Sequence, residues 1–247
     1  MRVATIVPIP HLELTRDDDY FLALAHLVHK HEYRSFFRRA AKRGAFVCMD
    51  NGVVETGHAA TAVRLLKCAQ LLEPDEIILP DELCDSERTL RRSMRALKFL
   101  SKKLPETAFM VVPQGKTRME WIQCVQEMVE WPVATIGISR FLVNAGVYKN
   151  RLDALRDVPE LLESTKDIHL LGCPGDLLEF SRIEQALPGR VRGVDSGIAA
   201  ICAQENVVLR VGAEKPRVEL RFDTAINTAL LENNISVWKH YASGGKA

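Results

Sequence analysis

The chain has 247 residues, 47% of them hydrophobic and 26% charged, the profile of an ordinary soluble protein and a length that suits one large domain or two small ones. The formal net charge is only +1, so any basic surface has to be local and the global charge is no argument for a nucleic-acid partner. The 6 cysteines include no Cys-x-x-Cys pair and mostly fall in apolar runs, which excludes a sequence-visible disulfide framework or zinc site and points to a reducing compartment.

Arg2 to Pro10 reads as a first strand stopped by prolines. No basic segment leads into an apolar signal core, and no apolar stretch reaches membrane-spanning length, so the expectation is a cytoplasmic protein without a membrane partner. After a polar loop, Tyr20 to His31 is apolar at helical spacing, and a basic helical stretch follows from Arg34 to Arg43. Gly44 turns the chain into a second strand, Ala45 to Met49. A helix is expected from about 59 to 72, a third strand over Glu76 to Pro80, and a long basic helix over Ser86 to Lys103 with Ser86 as N-cap. Ala108 to Val112 is the fourth strand. Thr117 and Glu120 are spaced as a capping box for the next helix. Val133 to Ile138, Ile168 to Leu171 and Val191 to Val194 are the fifth to seventh strands, with helices over Leu152 to Ser164, Asp176 to Ala186 and Ser196 to Ala203 between and after them. Val207 to Val211 is the candidate eighth strand, Asp223 to Tyr241 a closing helix, and Ser243 to Ala247 a tail expected to fray.

Strand and helix alternate about eight times with no linker, repeat or low-complexity tract. That alternation implies a parallel sheet. Eight units in about 250 residues is the size of a (β/α)8 TIM barrel, expected here as a single domain over 1–247. A doubly wound open sheet is the competing reading. Against it, no Gly-x-Gly-x-x-Gly turn follows the first strand. Polar residues also sit after many strands in turn, where an open sheet would gather them at one switch point.

In a barrel all strand C-termini face one mouth. Asp50, Asp81, Gln114, Ser139, Cys173 and Asp195 each end a strand-like run, and the reading is that they converge there. Neighbouring carboxylates repel, so one or more should titrate high. Two uses fit such a set: oxygen ligation of a hard cation, or glycosyl chemistry with one carboxylate as nucleophile and another handling protons. No His stands at these strand ends, which weakens the metal reading; His169, one residue into its strand, is weighed as a core residue. The blander readings are also concrete. Asp195 before Ser196-Gly197 could be a helix N-cap, Asp50-Asn51-Gly52 a turn, and Asp81 and Gln114-Gly115 simple loop chemistry.

A series of short motifs, in order and one per strand end, resembles the guanine transglycosylase family, the base-exchange enzymes that put 7-deazaguanines into nucleic acid. Met49-Asp50-Asn51-Gly52-Val53-Val54-Glu55 resembles the family's Asp-Ser-Gly-Gly-Phe-Gln segment. Leu79-Pro80-Asp81-Glu82-Leu83 is similar to its Phe-Asp-Glu segment, and Val112-Pro113-Gln114-Gly115 to its Gln-Gly strand. Ile136-Gly137-Ile138-Ser139 is similar to its Gly-Gly loop. The run Leu170 to Glu179 resembles Leu-Met-Gly-Val-Gly-x-Pro-x-Asp-Leu-Val-Glu. Asp195 then falls where the nucleophilic Asp stands. The likeness covers about residues 45 to 200. It implies a nucleophile at Asp195, acid–base work at Asp50, and base binding by Asp81, Gln114, Gly115, Gly137 and Ser139. It also implies no cofactor beyond a preQ0-like 7-deazaguanine base.

The departures narrow the resemblance. The tRNA enzymes carry a zinc subdomain held by clustered Cys and His after the nucleophile. Here only Cys202 and His240 follow Asp195, so zinc is not expected. The segment after Asp195 also lacks the family's Pro-Thr-Arg. The shorter chain is similar to the compact DNA-modifying branch, the DpdA-like proteins of bacteria and phages, which makes DNA the expected partner. A tRNA-directed enzyme, a barrel nucleoside or N-glycoside hydrolase, and a binding module that kept the barrel are the alternatives, and a homodimer stays open. The basic helix with Arg88, Arg91, Arg92 and Arg95, and the stretch with Arg38 and Arg39, read either as solvated faces or as patches that track phosphates. Trp121, Trp131 and Trp238 read as packing residues.

Overall fold

The computed structural model describes residues 1–245; Lys246 and Ala247 lie outside the described residues. Eight strands form one sheet: β1 (Arg2–Thr5), β2 (Tyr20–Leu24), β3 (Phe46–Asp50), β4 (Glu76–Ile78), β5 (Ala108–Val111), β6 (Thr135–Ser139), β7 (Asp167–Leu171) and β8 (Val191–Ser196). Their order is β1-β8-β7-β6-β5-β4-β3-β2, and every pair is parallel. β1 and β2, the two ends of that ladder, lie against each other and nearly close the barrel. Arg2 spans the seam: its guanidinium donates to the Asp19 carbonyl at 2.6 Å and sits over the Tyr20 ring, 4.8 Å from its centroid.

The helices follow the strands in turn. They are α1 (His31–Lys42), α2 (Val53–Thr56), α3 (Ala62–Leu72), α4 (Ser86–Leu100), α5 (Arg118–Val129), α6 (Phe141–Asn144), α7 (Arg151–Arg156), α8 (Pro159–Glu163), α9 (Glu179–Ala186), α10 (Ile198–Gln204) and α11 (Thr228–Ala242). A (β/α)8 barrel is therefore the architecture, as the alternation of elements implies. Among the described residues no helix is long and apolar enough to cross a membrane.

Two of the expected elements differ in the structure. Tyr20–Leu24 is β2, not the start of a helix, and all five residues are buried. A strand covered on both faces loses its alternation and reads as a continuous apolar run, which periodicity cannot separate from a buried helix. Val207–Val211 is irregular, not an eighth strand: Val208 is 53% exposed, and the Leu209 amide donates to Asn234 Oδ1 at 2.8 Å. The count of eight strands holds because β2 takes the place of Val207–Val211. At smaller scale, Asp85 and not Ser86 caps α4, accepting from the Arg88 amide at 2.9 Å. Thr117 does cap α5, and Glu120 reaches back to the Lys116 amide at 2.8 Å.

Two cores result. An outer one packs the strands' outward side chains against the helices, and it takes in Trp121, Trp131 and Trp238. The inner one fills the barrel with Ala4, Tyr20, Leu22, Cys48, Ile78, Met110 and Val112. The period of two decides which side chains point inward. Ile136, Ile138, Ile168 and Leu170 belong to the outer core. Their neighbours Thr135, Gly137, Ser139, His169 and Leu171 face the inside.

β8 breaks that rhythm. Ile168 stands opposite Val191 but His169 opposite Gly193, so Arg192 is one extra residue, a β-bulge. Val191 and Val194 pack outward, while the Arg192 guanidinium, Gly193 and Asp195 all turn inward. Gly193 is required there: a Cβ would lie 2.7 Å from Tyr20 Cε1. The bulge thus shifts the register that aims Asp195 into the barrel.

Candidate active site

The C-terminal ends of the strands surround a cavity of about 280 Å³, near the lower end of the range for small-ligand sites, about 300 Å³. Asp50, Asp81, Ser139 and Asp195 all line it. The four come from β3, β6, β8 and the turn after β4, so residues far apart in the chain meet only because the barrel closes. The segment between α10 and α11 supplies the roof, with Val218, Glu219, Leu220 and Phe222 over the cavity. The Ile9 amide donates to the Phe222 carbonyl at 2.8 Å and holds that roof to the β1 side.

Asp195 is 5% exposed and is a strand residue. It does not cap the following helix; that helix starts at Ile198, whose amide is met by Ser196 Oγ at 3.1 Å. One carboxylate oxygen, Oδ1, is held by His169 Nε2 at 3.0 Å and by the Gly172 amide at 3.4 Å. The other, Oδ2, has no protein partner among the described residues, and Asp195 borders the cavity.

Asp50 ends β3 and accepts from the Gly52 amide at 2.7 Å through Oδ2. Gly52 sits at φ 77°, a conformation that favours glycine and makes this tight return possible. Burial, then the neighbouring charges of Glu55, Asp195 and Asp81, push the Asp50 carboxyl well above the usual carboxylate range, against the pull of the Gly52 amide. That environment favours the protonated form of Asp50 over the carboxylate. Glu55, also on the cavity, is raised by burial and by the charge of Asp195, while Arg140 opposes the shift.

Asp81 is 2% exposed and is gripped by two amides: Asn51 Nδ2 donates to Oδ1 and Gln114 Nε2 to Oδ2, each at 2.7 Å. Burial nevertheless pushes its carboxyl up to about 6. A carboxylate has about four acceptor positions, so each oxygen keeps one for a ligand. Gln114 therefore stands behind Asp81, with its own Oε1 taken by the Cys84 amide at 3.3 Å; it does not border the cavity. Ser139 is on the cavity wall, and its Oγ accepts from the Phe141 amide at 3.1 Å.

Gly115 and Gly137 are not on the cavity. Gly115 lies against the first turn of α5, where a Cβ would be 2.6 Å from the Trp121 amide nitrogen. Gly137 is mid-strand, paired in register with His169, under Leu171, Met110 and Val112. Both are close-packing glycines beneath the site. Cys173 is buried, and burial pushes its thiol up, away from reactivity.

The basic residues fall into separate groups. Arg38 and Arg39 pair with Glu73 at 3.0 Å and Glu13 at 2.7 Å. They sit late in α1, which runs back toward the strand N-termini, so they lie at the end away from the mouth. Arg88, Arg91 and Arg92 are matched with Asp85, Glu87 and Glu82, and Arg92 also donates to the Ala59 carbonyl at 3.0 Å. Arg95 is exposed without a carboxylate partner among the described residues. Three of these four arginines are thus matched by acids, as on a solvated helix surface.

Three features escaped the reading of the sequence. His169 holds the back of Asp195. Arg140 is a cation on the cavity wall with no carboxylate partner among the described residues, its guanidinium 5.2 Å from the Phe141 ring centroid. The roof residues Val218, Glu219, Leu220 and Phe222 fall between the expected eighth strand and the closing helix, where the sequence assigns no element. Of these only Arg140 left a signal, as a charged residue directly after a strand-ending Ser139. Among the described residues, no group of three or more His, Cys, Asp or Glu side chains is arranged to hold a metal ion. No protein-family model matches the chain, and a search of curated proteins finds no match.

Proposed function

We propose that this protein is a base-exchanging transglycosylase that replaces guanine in DNA with a preQ0-type 7-deazaguanine through a glycosyl–aspartate intermediate. One observation carries the reading: Asp50, Asp81 and Asp195, each brought by a different strand, border one cavity and are held in three different ways. Asp195 presents a free oxygen, Asp50 is pushed toward its protonated form, and Asp81 is held by two amides.

In this mechanism the target guanine leaves the stack, at a cost of a few kcal/mol. The Asp81 carboxylate accepts from its N1–H and 2-amino group. Asp195 Oδ2 attacks C1′ as the C1′–N9 bond breaks; the electron pair leaves with the base, and Asp50 gives that base a proton. The incoming 7-deazaguanine then loses its N9 proton to Asp50. N9 attacks C1′, and the Oδ2–C1′ electrons return to Asp195. Two displacements retain the configuration at C1′, and no outside energy source is needed. Arg140, a cation without a carboxylate partner on the cavity wall, suits a phosphate flanking the extruded nucleotide.

The test is to incubate the protein with guanine-labelled duplex DNA, single-stranded DNA and tRNA, with and without 7-deazaguanine. The expectation is base exchange on DNA and a protein–DNA adduct that Asp195→Asn abolishes. Exchange on tRNA alone would move the substrate to RNA. Guanine release without an incoming base would make the protein a hydrolase. Near wild-type exchange by Asp195→Asn would remove Asp195 as nucleophile.

A further inference from the structure

The barrel interior holds a continuous polar chain that the reaction above does not use. At its lower end Glu76, fully buried, accepts from Arg192 at 2.5 Å and from Thr135 Oγ1 at 2.5 Å. The same guanidinium donates to Thr135 Oγ1 at 2.9 Å and lies 3.2 Å from Asp167. Its NH2 also reaches the Tyr20 hydroxyl at 3.3 Å. Tyr20 in turn meets His169 Nδ1 at 2.9 Å, and His169 Nε2 meets Asp195 Oδ1 at 3.0 Å. Tyr20 and His169 are both 0% exposed, so the protein alone supplies their partners.

The direction of every bond follows from counting protons. A guanidinium only donates, so the Tyr20 oxygen accepts from Arg192. The single hydroxyl proton is then left for His169 Nδ1, which accepts. Burial pushes the Tyr20 hydroxyl far up, so it stays a donor. With Nδ1 accepting, the ring's one proton sits on Nε2 and points at Asp195. Arg192, Tyr20 and His169 thus donate in one sense, toward the carboxylate, and Glu76 anchors the far end. The Gly172 amide adds a second donor to the same oxygen at 3.4 Å.

We propose that Tyr20 and His169 are positioning residues: the Arg192–Tyr20–His169 chain locks the Nε2–H tautomer of His169, which ties down Asp195 Oδ1 and leaves Oδ2 as the one oxygen presented to the cavity. The same donors stabilise the carboxylate each time it is released from C1′. The role given to Asp195 rests on the base-exchange reading, whereas the tautomer rests only on these hydrogen bonds.

Two measurements test this and fail independently. In ¹⁵N-labelled full-length protein at neutral pH, long-range ¹H–¹⁵N correlation should give His169 a pyridine-like, hydrogen-bonded Nδ1 and a protonated Nε2. In Tyr20→Phe the Nδ1 resonance should move to the value of an unbonded ring nitrogen. The opposite tautomer, or a doubly protonated ring, overturns the proposal whether or not the protein exchanges bases. In the exchange assay, Tyr20→Phe should lower kcat about 10- to 100-fold, as removal of such outer partners does, with KM for the incoming base unchanged. His169→Leu should lose more, and His169→Gln, which restores an N–H to Asp195, should recover part of the loss. If Asp195→Asn abolishes the adduct while Tyr20→Phe and His169→Leu keep wild-type kcat, the positioning role is overturned. Absence of any adduct in the wild type would count against the base-exchange reading, and the ¹⁵N result then decides the tautomer by itself.

Discussion

Replacing Arg151 with methionine should be among the most damaging single changes outside the cavity. Arg151 and Glu179 are 0% and 3% exposed at their side chains, and they meet at 2.6 Å and 3.1 Å through two guanidinium nitrogens. Glu179 also accepts from the Arg151 amide at 3.0 Å. The remaining guanidinium nitrogen donates to the carbonyls of Ile138 and Leu171, each at 3.2 Å, directly before Ser139 and Gly172 on the cavity wall. The clamp therefore ties the mouth ends of β6 and β7 to the start of α9. Methionine would leave Glu179 buried without a counter-charge. Removing one partner of a buried pair costs about 3–5 kcal/mol. At about 2–4 °C per kcal/mol for a chain of this size, Tm should fall by roughly 6–20 °C. Thermal unfolding followed by circular dichroism measures it. The double variant Arg151→Met/Glu179→Leu should recover much of the loss, because both charges are then gone. A fall of about 1 °C in the single variant, the reach of an ordinary surface change, would refute the clamp.

The remaining predictions concern the bulge and the acids. Gly193→Ala sets a methyl 2.7 Å from Tyr20 Cε1, and overpacking of this kind costs about 1–3 kcal/mol, read as a lower urea midpoint. The loss should shrink in a Tyr20→Leu background; equal stability of Gly193→Ala and wild type would contradict the close approach. Asp81 titrates at about 6 in the folded protein and at its ordinary 3.8 when unfolded, so the unfolded chain gives up this proton first as pH rises. Its contribution therefore falls between about pH 4 and pH 6, by about 2 kcal/mol from pH 4.5 to pH 7.5. The stability difference between Asp81→Asn and wild type should move in the variant's favour by that amount over the same interval. Identical differences at both values would show that burial does not raise this carboxyl.

The alternation of elements was legible along the chain because each strand of a parallel barrel ends in a turn and a helix, and turn residues and helical spacing are local signals. The convergence of Asp50, Asp81 and Asp195 was legible for a related reason: strands of one parallel sheet all point their C-terminal ends the same way, so a polar residue ending each run has one place to go. Tyr20–Leu24 shows the limit, since five residues buried on both faces carry no periodicity. Gln114, Gly115 and Gly137 show another. They lie next to the site in sequence motifs, yet one residue of rotation or depth separates a cavity wall from its support, and no local signal records that difference.

His169 and Arg192 needed the tertiary structure outright. His169 sits inside an apolar strand, where an isolated His most often only packs, and its meaning comes from Tyr20 on one side and Asp195 on the other. Arg192 turns inward through a bulge defined by the pairing of β7 with β8. The linear chain thus determined a parallel barrel with acids at its mouth, through patterns that each segment carries alone. Which oxygen of Asp195 is tethered, which carboxyls are pushed toward the protonated form and which cation lacks a carboxylate partner were decided only on folding, because hydrogen bonds and desolvation depend on neighbours that the order of residues does not specify.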